Sequence, residues 1–357
     1  MVLFRKKKKQ KTKASVGGFF KDKFIGDFDL SDAGVRTVSF IKKKVSDGIQ
    51  GIYDSRDKLK DIPGTNYKLG LYHMQQGNFY DAIFRFGIVC RFAPDNIDAH
   101  YNLARCYMFR GANKEAKKKL EHVLKKIPDH VEAKYLLKKI DSPKTVEFIP
   151  ESLIKETIDI RADFYRQDYI DNGYSGSKAL VNEVFRNVND KNPNYDVLDL
   201  GCGTGVCGFI LKKRSLARRI VGVDLSKIMI ETCRGKRVES EPVYDELHEA
   251  EISKYLQSEQ SKYNLVLSDL ATDFIGKLDG YAVSIKRVLV DGGCYAAVVR
   301  WEDELKEGYK LNSDYEDFSY SKKYFVDNFA KAGLKLTGSK EIDMVGDEKA
   351  EILIFKS

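Results

Sequence analysis

The stretch VLDLGCGTGVCG, Val197 to Gly208, carries two ligand-binding fingerprints laid over one another. Gly203-Thr-Gly205-Val-Cys-Gly208 satisfies G-x-G-x-x-G, the dinucleotide pattern. Asp199-Leu-Gly201-Cys-Gly203-Thr-Gly205 satisfies another, an acid at a strand end followed by three alternate glycines. The apolar run before the glycines predicts a buried strand, and "VCGFILKKR" after them predicts a helix. The glycine N–H groups and the helix start can receive an anion. The two patterns imply different ligands, and the residues on either side must choose between them.

Outward from this turn, strands alternate with helices. "RIVGVDL" (219–225), "YNLVLSDL" (263–270) and "GGCYAAVVR" (292–300) read as further buried strands, with "SKIMIETCRG" and "LDGYAVSIKRVLV" as helices. That alternation implies an α/β domain with a mostly parallel sheet. "LKLTGSKEIDM" and "AEILIFKS" end the chain as two strands with a short connection, an antiparallel edge hairpin foreign to a plain dinucleotide domain. Asp224 closes the second strand nineteen residues after Gly205, the spacing of an acid that binds ribose hydroxyls. NAD and S-adenosylmethionine (SAM) both carry that ribose. Asp199 favours SAM: a pyrophosphate beside it would be repelled, whereas an ammonium and a sulfonium would be attracted.

"VLDLGCGTG" resembles motif I of the class I SAM-dependent methyltransferases, and "VGVDLS" resembles their ribose-binding second strand. The likeness extends over about 151–357. With "YDELHEAEISKYL" (244–256) the chain resembles a narrower group, bacterial predicted methyltransferases with tetratricopeptide repeats ahead of the catalytic domain. The resemblance implies a Rossmann-like, seven-stranded α/β methyltransferase fold behind an all-α repeat domain, with SAM as cofactor. It implies that Gly201, Gly203 and Gly205 hold the methionine portion, Asp224 the ribose and Glu251 the adenine amino group, between Leu225 and Ile252. Cys202, in the glycine turn, and Ser268, at the fourth strand's end, complete the candidate cofactor set with Asp199. Glu251 stands where the group more often has Asp.

Methyl transfer from SAM is a displacement at an already activated carbon, so alignment supplies much of the catalysis. The acceptor should approach the carboxyl ends of the strands. Ser268, Asp269, Asp273, Arg300, Trp301 and Glu302 fall there, and Asp269 is the candidate catalytic residue; Asp273 reads equally well as an exposed helix-start carboxylate. No Asn/Asp-Pro-Pro-aromatic motif follows the fourth strand and no Pro-Cys nucleophile is available. These absences leave a small molecule or a protein as acceptor. Phe164, Gly173 and Tyr174 keep the pattern of the group's cap helices, with Tyr165 where an acid is expected. Gly308, Tyr309, Leu311, Ser321 and Tyr324 also keep it, but Glu316, Asp317, Phe318 and Tyr320 replace a Gly-Arg-Tyr-Ala-His run.

Ahead of this domain the chain repeats. Tyr67, Leu69, Gly77, Ala82 and Pro94 recur thirty-four residues later as Tyr101, Leu103, Gly111, Ala116 and Pro128. Thirty-four is the tetratricopeptide period. The expected division is a basic disordered tail (1–18), an amphipathic helical segment (19–62) and a repeat domain (63–142) of two repeats and a closing helix. A linker (143–150) and the methyltransferase domain (151–357) follow. The repeats offer a concave face for a protein or peptide partner.

The formal charge of +8 is concentrated at the start: residues 1–60 carry +9, leaving −1 for the remainder. A nearly neutral body gives no broad nucleic-acid surface. Lysines interleaved with Phe19, Phe20, Phe24 and Phe28 suit an anionic lipid surface, so residues 1–45 also offer a peripheral membrane contact. Six cysteines with no C-x-x-C suit a reducing cytoplasm and no structural zinc. Two functions stand: an active methyltransferase whose repeats recruit a partner, and a repeat scaffold whose SAM-binding domain is inactive.

Overall fold

The described residues fall into two units that divide after Asp141. The computed structural model describes residues 61–159, 175–187, 194–302, 304–312, 316–343 and 349–357. The basic tail, the amphipathic segment before residue 61 and the cap positions Phe164, Tyr165, Gly173 and Tyr174 lie outside them.

The described residues of the first unit form five helices: α1 (Ile62–Gln75), α2 (Phe79–Phe92), α3 (Ile97–Phe109), α4 (Asn113–Lys126) and α5 (Val131–Asp141). Asp61 begins α1 by accepting the Gly64 N–H at 2.8 Å, and Asn96 begins α3 by accepting the Ala99 N–H at 2.9 Å. Gly77 and Gly111 make the turns between paired helices with φ of +71° and +72°. Pro94 and Pro128 follow the ends of α2 and α4, where a missing N–H is tolerated. Ala82, Phe86 and Val89 on α2 are fully buried, as are Ala116, Leu120 and Val123 on α4. Each residue of the second set lies thirty-four after its counterpart, so the repeat in sequence is a repeat in packing.

The second unit is built on seven strands: β1 (Tyr195–Leu200), β2 (Ala217–Asp224), β3 (Glu246–Glu249), β4 (Tyr263–Asp269), β5 (Leu289–Val299), β6 (Lys335–Asp343) and β7 (Lys349–Lys356). Their order is β3-β2-β1-β4-β5-β7-β6. β1 pairs parallel with β2 and with β4, and β7 lies antiparallel between β5 and β6. This is the expected sheet with its terminal hairpin.

Helical residues 151–159, here α6, precede α7 (Gly176–Asn187), α8 (Val206–Lys213), α9 (Lys227–Arg234), α10 (Ile252–Ser258), α11 (Asp279–Val288) and α12 (Lys322–Lys331). One face of the sheet packs Val197, Leu265 and Leu267 against Leu180, Val184 and Leu211. The other packs an aromatic stack, Tyr295–Phe329 at 4.9 Å and Phe329–Phe355 at 4.8 Å between ring centres. With both faces covered, the central strands read as near-continuous apolar runs.

Residues 143–150, expected as a linker, instead pack into this second unit. Val146 and Ile149 are buried, and Phe148 forms an antiparallel bridge with Ile275. Burial of two apolar side chains favours this docking over a free linker. Among the described residues, no helix is long and apolar enough to cross a membrane.

Candidate functional site

The chain runs from β1 outward through β2 to β3, then returns to place β4 on the other side of β1. A crevice forms outside the strand ends at such a switch point, and here it opens at the carboxyl ends of β1, β2 and β4. Its floor is Asp199, Gly201, Cys202 and Gly203. Asp224, Leu225 and Met229 form one wall, and Glu251 and Ile252 continue it. Asp269, Leu270, Ala271, Phe274 and Ile275 form the opposite wall, while Ile154 and Ile158 of α6 and Ser177 of α7 border the opening.

Gly201 and Gly203 take φ of +66° and +53°, a region that side chains disfavour. A Cβ on Gly201 would lie 2.3 Å from the Ala271 Cβ, so the floor is narrow as well as bare. Gly201→Ala is therefore expected to destabilise the domain and abolish ligand binding there. Thermal melting and a titration with S-adenosylhomocysteine (SAH) would check this, and wild-type behaviour in both would refute it.

Asp199 is 1% exposed and accepts the Tyr244 hydroxyl at 2.7 Å. Burial pushes its carboxyl up to about 7, with the Asp269 and Asp224 charges raising it further and the Tyr244 and Gly208 hydrogen bonds opposing. Gly208 explains the overlapping fingerprint. Its Cβ would lie 2.5 Å from the Tyr244 ring, so the third glycine of G-x-G-x-x-G makes room for the tyrosine that binds Asp199.

Asp224, 5% exposed, accepts the Gly203 and Ser226 N–H groups, each at 2.9 Å. Burial pushes it up to about 6 against those two bonds. The carboxylate is thus fixed to the glycine turn with its remaining lone pairs available for ribose hydroxyls. Glu251 begins α10, accepting the Ser253 and Lys254 N–H groups at 2.9 and 2.8 Å. It lines the crevice while holding the helix that carries Ile252. Asp269 accepts the Ser177 hydroxyl at 2.5 Å.

Two of the expected cofactor residues do not line the crevice. Gly205 starts α8 with φ +79° and packs against Cys233 and Tyr244. Ser268 is fully buried and faces Tyr281 and Tyr295; as the neighbour of Asp269 in a strand it must point to the other side of the sheet. Cys202 lines the crevice with its sulfur 3.9 Å from that of Cys233, and that contact, together with burial, pushes the thiol well up. An inert packing role follows.

Asp273 is 1% exposed rather than a surface carboxylate. Arg300, itself 3% exposed, donates to Asp273 from Nε at 3.0 Å and from its terminal nitrogen, and also reaches Asp317 at 3.3 Å. Trp301 donates to Glu351 at 2.8 Å. The Tyr320 hydroxyl donates to the Thr272 and Ile275 carbonyls. These residues brace the wall that ends in Phe274 and Ile275 without entering the crevice. Sequence reasoning missed Ser177, Ile154 and Ile158, and gave no role to Tyr244 although it opens the quoted stretch 244–256. Among the described residues, no group of three or more His, Cys, Asp or Glu could hold a metal ion.

The bare glycine floor, Asp224 beside it and the apolar Leu225 and Ile252 fit the adenosyl and methionine portions of SAM. A family described as Methyltransferase domain matches residues 191–342, and one described as Tetratricopeptide repeat matches 73–140. The chain is similar to a malonyl-[acyl-carrier protein] O-methyltransferase of Acetivibrio thermocellus, 28% identical over 43% of this chain and 50% of the relative. It is also similar to a ribosomal protein L11 methyltransferase of Caldicellulosiruptor bescii, 29% identical over 32% of this chain and 35% of the relative. The chain thus spans half or less of these curated relatives. A solved structure, magnesium protoporphyrin IX methyltransferase of Synechocystis with bound SAH, aligns with a TM-score of 0.46 at 12% identity, over 58% of this chain and 98% of that one. Residues 191–342 thus carry a methyltransferase domain, which follows tetratricopeptide repeats in the chain.

Proposed function

We propose that the chain transfers the methyl group of SAM to a small-molecule or protein acceptor, and that its tetratricopeptide repeats recruit a protein partner or substrate. The observation that carries this reading is Asp224, tied to Gly203 at 2.9 Å on a floor that Gly201 and Gly203 leave without side chains at those two positions. When bound, SAM supplies a methyl carbon activated by the sulfonium. Asp199 lies where its carboxylate attracts the ammonium, Asp224 receives the ribose hydroxyls and Glu251 the adenine amino group. Leu225 and Ile252 exclude water from the adenine. The acceptors of the two curated relatives differ in chemistry, one a malonyl-[acyl-carrier protein] and one ribosomal protein L11, so they do not select one here. Incubation of the full chain with methyl-labelled SAM and a cell extract tests the reading. Transfer of label supports it, and tight SAM binding without transfer supports the scaffold instead.

Asp199 also makes a pH prediction. Its value in the folded domain, about 7, lies above the ordinary 3.8, so folding retains a proton that the unfolded chain releases. The stability tied to that proton is complete below about pH 4 and is lost as pH rises to about 7. A bound ammonium favours the carboxylate and expels the proton. SAM affinity should therefore rise between pH 5 and 8, by roughly tenfold for each unit by which binding lowers the Asp199 value. Asp199→Asn should reduce this dependence. Affinity that is flat or falls with pH in the wild-type protein would contradict it.

A further inference from the structure

Two glycines of the second unit stand where local structure disfavours them. Gly208 lies within α8 and Gly222 within β2, where a missing side chain weakens helix and strand. Both, with Gly205 at the start of α8, face one ring. An added Cβ would lie 2.5 Å from Tyr244 at Gly208, 2.8 Å at Gly222 and 3.0 Å at Gly205. The tyrosine, 5% exposed, fills the slot these glycines leave open. Its backbone is fixed on both sides. The Val243 N–H donates to the Lys236 carbonyl at 3.2 Å. Asp245 donates its N–H to the Ile220 carbonyl at 2.9 Å and accepts the Ile220 N–H on its side chain at 2.8 Å.

The hydroxyl of that ring donates to Oδ2 of Asp199, which lines the crevice, at 2.7 Å. Burial, then the Asp199 charge, pushes the phenol well above its usual value, so it stays a donor throughout the physiological range. The groups facing Asp199 divide by effect. Its own burial and the Asp269 and Asp224 carboxylates favour the protonated form, while the Tyr244 hydroxyl and the Gly208 N–H favour the carboxylate. The flanking thiols of Cys202 and Cys207 are pushed well up, the first chiefly by contact with Cys233 and the second by burial, and stay neutral. An ammonium needs the carboxylate form as its partner. Loss of one hydrogen bond to that form would raise Asp199 by about one to two pH units.

We propose that Tyr244 is a positioning residue for SAM, its hydroxyl holding the Asp199 carboxylate as the partner of the cofactor's ammonium. The inference rests on the SAM reading of the same crevice. Tyr244 lies behind the lining residues, so it acts through Asp199. The hydroxyl extends cofactor binding to lower pH and leaves unchanged the affinity reached once Asp199 is fully ionised. The sign follows from linkage. Below the value of the free protein the ligand must expel a proton, and a raised value demands that expulsion over a wider range of pH. Ring and hydroxyl have separate duties: phenylalanine would keep the glycine slot filled and remove the donor.

The test measures SAH affinity of the full chain from pH 5 to 9, for the wild type and for Tyr244→Phe. The ratio of the two at each pH cancels the titration of the ligand itself. Absence of wild-type binding at every pH would overturn the cofactor reading and this inference with it. Where the wild type binds, Tyr244→Phe is expected to weaken affinity roughly five- to fiftyfold at pH 7 and to come within about twofold of wild type at pH 9. An equal loss at every pH would mark a structural role only, and a ratio near one throughout would show that the hydroxyl has no bearing on the site. Either result overturns the proposal. 3-Fluorotyrosine in place of Tyr244 alone keeps ring and hydroxyl and makes a stronger donor. It should move the midpoint of the affinity curve the other way, to lower pH. That measurement decides the matter should Tyr244→Phe fail to fold, and an unmoved or raised midpoint would overturn the proposal.

Discussion

Asp224→Asn is expected to weaken SAH binding by about a hundredfold or more, and Asp224→Ala to bring it below detection. The carboxylate has two duties on the same atoms. It accepts the Gly203 and Ser226 N–H groups at 2.9 Å each, which sets the glycine turn. In the proposed complex it also accepts the two ribose hydroxyls. A hydrogen bond to a charged group is worth about 1.5–3 kcal/mol, and two together correspond to at least about a hundredfold in affinity. An amide in its place keeps one acceptor oxygen but turns N–H groups toward donors. Titration of each variant with SAH, beside a thermal melt to confirm folding, checks this. An affinity within a few fold of wild type in a folded Asp224→Ala protein would show that the ribose lies elsewhere.

The largest expected effect on stability is at Arg300. Its guanidinium is 3% exposed and bridges two carboxylates that are each 1% exposed. Asn312 supports the arrangement, donating to Asp317 and to the Ser319 hydroxyl at 2.7 Å each. Arg300→Met removes the positive charge between Asp273 and Asp317 within the protein. Breaking a buried pair in this way costs about 3–5 kcal/mol, which in a domain of this size is a fall in Tm on the order of 10 °C. Asp273→Asn in the Arg300→Met background should recover part of the loss, because it removes one of the stranded charges. A Tm for Arg300→Met within about 2 °C of wild type would refute the bracing role.

Much of this was legible in the sequence, and the reasons are local. The thirty-four-residue period survives as packing because Ala82, Phe86 and Val89 and their counterparts must all be buried for two helices to close. The glycine turn and Asp224 were legible because backbone approach and a strand-end acid have fixed spacings. Ser268 was misplaced although strand alternation forbids it from sharing the crevice with Asp269, a signal available from residue parity alone. The linker expected at 143–150 failed for another reason. Its prolines suggested punctuation, while Val146 and Ile149 carried the burial that decides.

The remaining features depend on partners far apart in the chain. Tyr244 meets Asp199 across forty-five residues and Ser177 meets Asp269 across ninety-two. Asp317, Phe318 and Tyr320 depart from the family's run, and the structure buries all three. Asp317 answers Arg300 and Tyr320 answers two carbonyls of the neighbouring turn. One-dimensional spacing contains no sign of such pairings, because each is set by the sheet order.

The central claim is that Asp199, the glycine floor and Asp224 form a SAM site and not the dinucleotide site that Gly203 to Gly208 also spells. Calorimetric titration of the full chain with SAH and, separately, with NAD tests it most directly. One SAH per chain, displaced by SAM and unaffected by NAD, is the predicted result. NAD binding in the absence of SAH binding would contradict it.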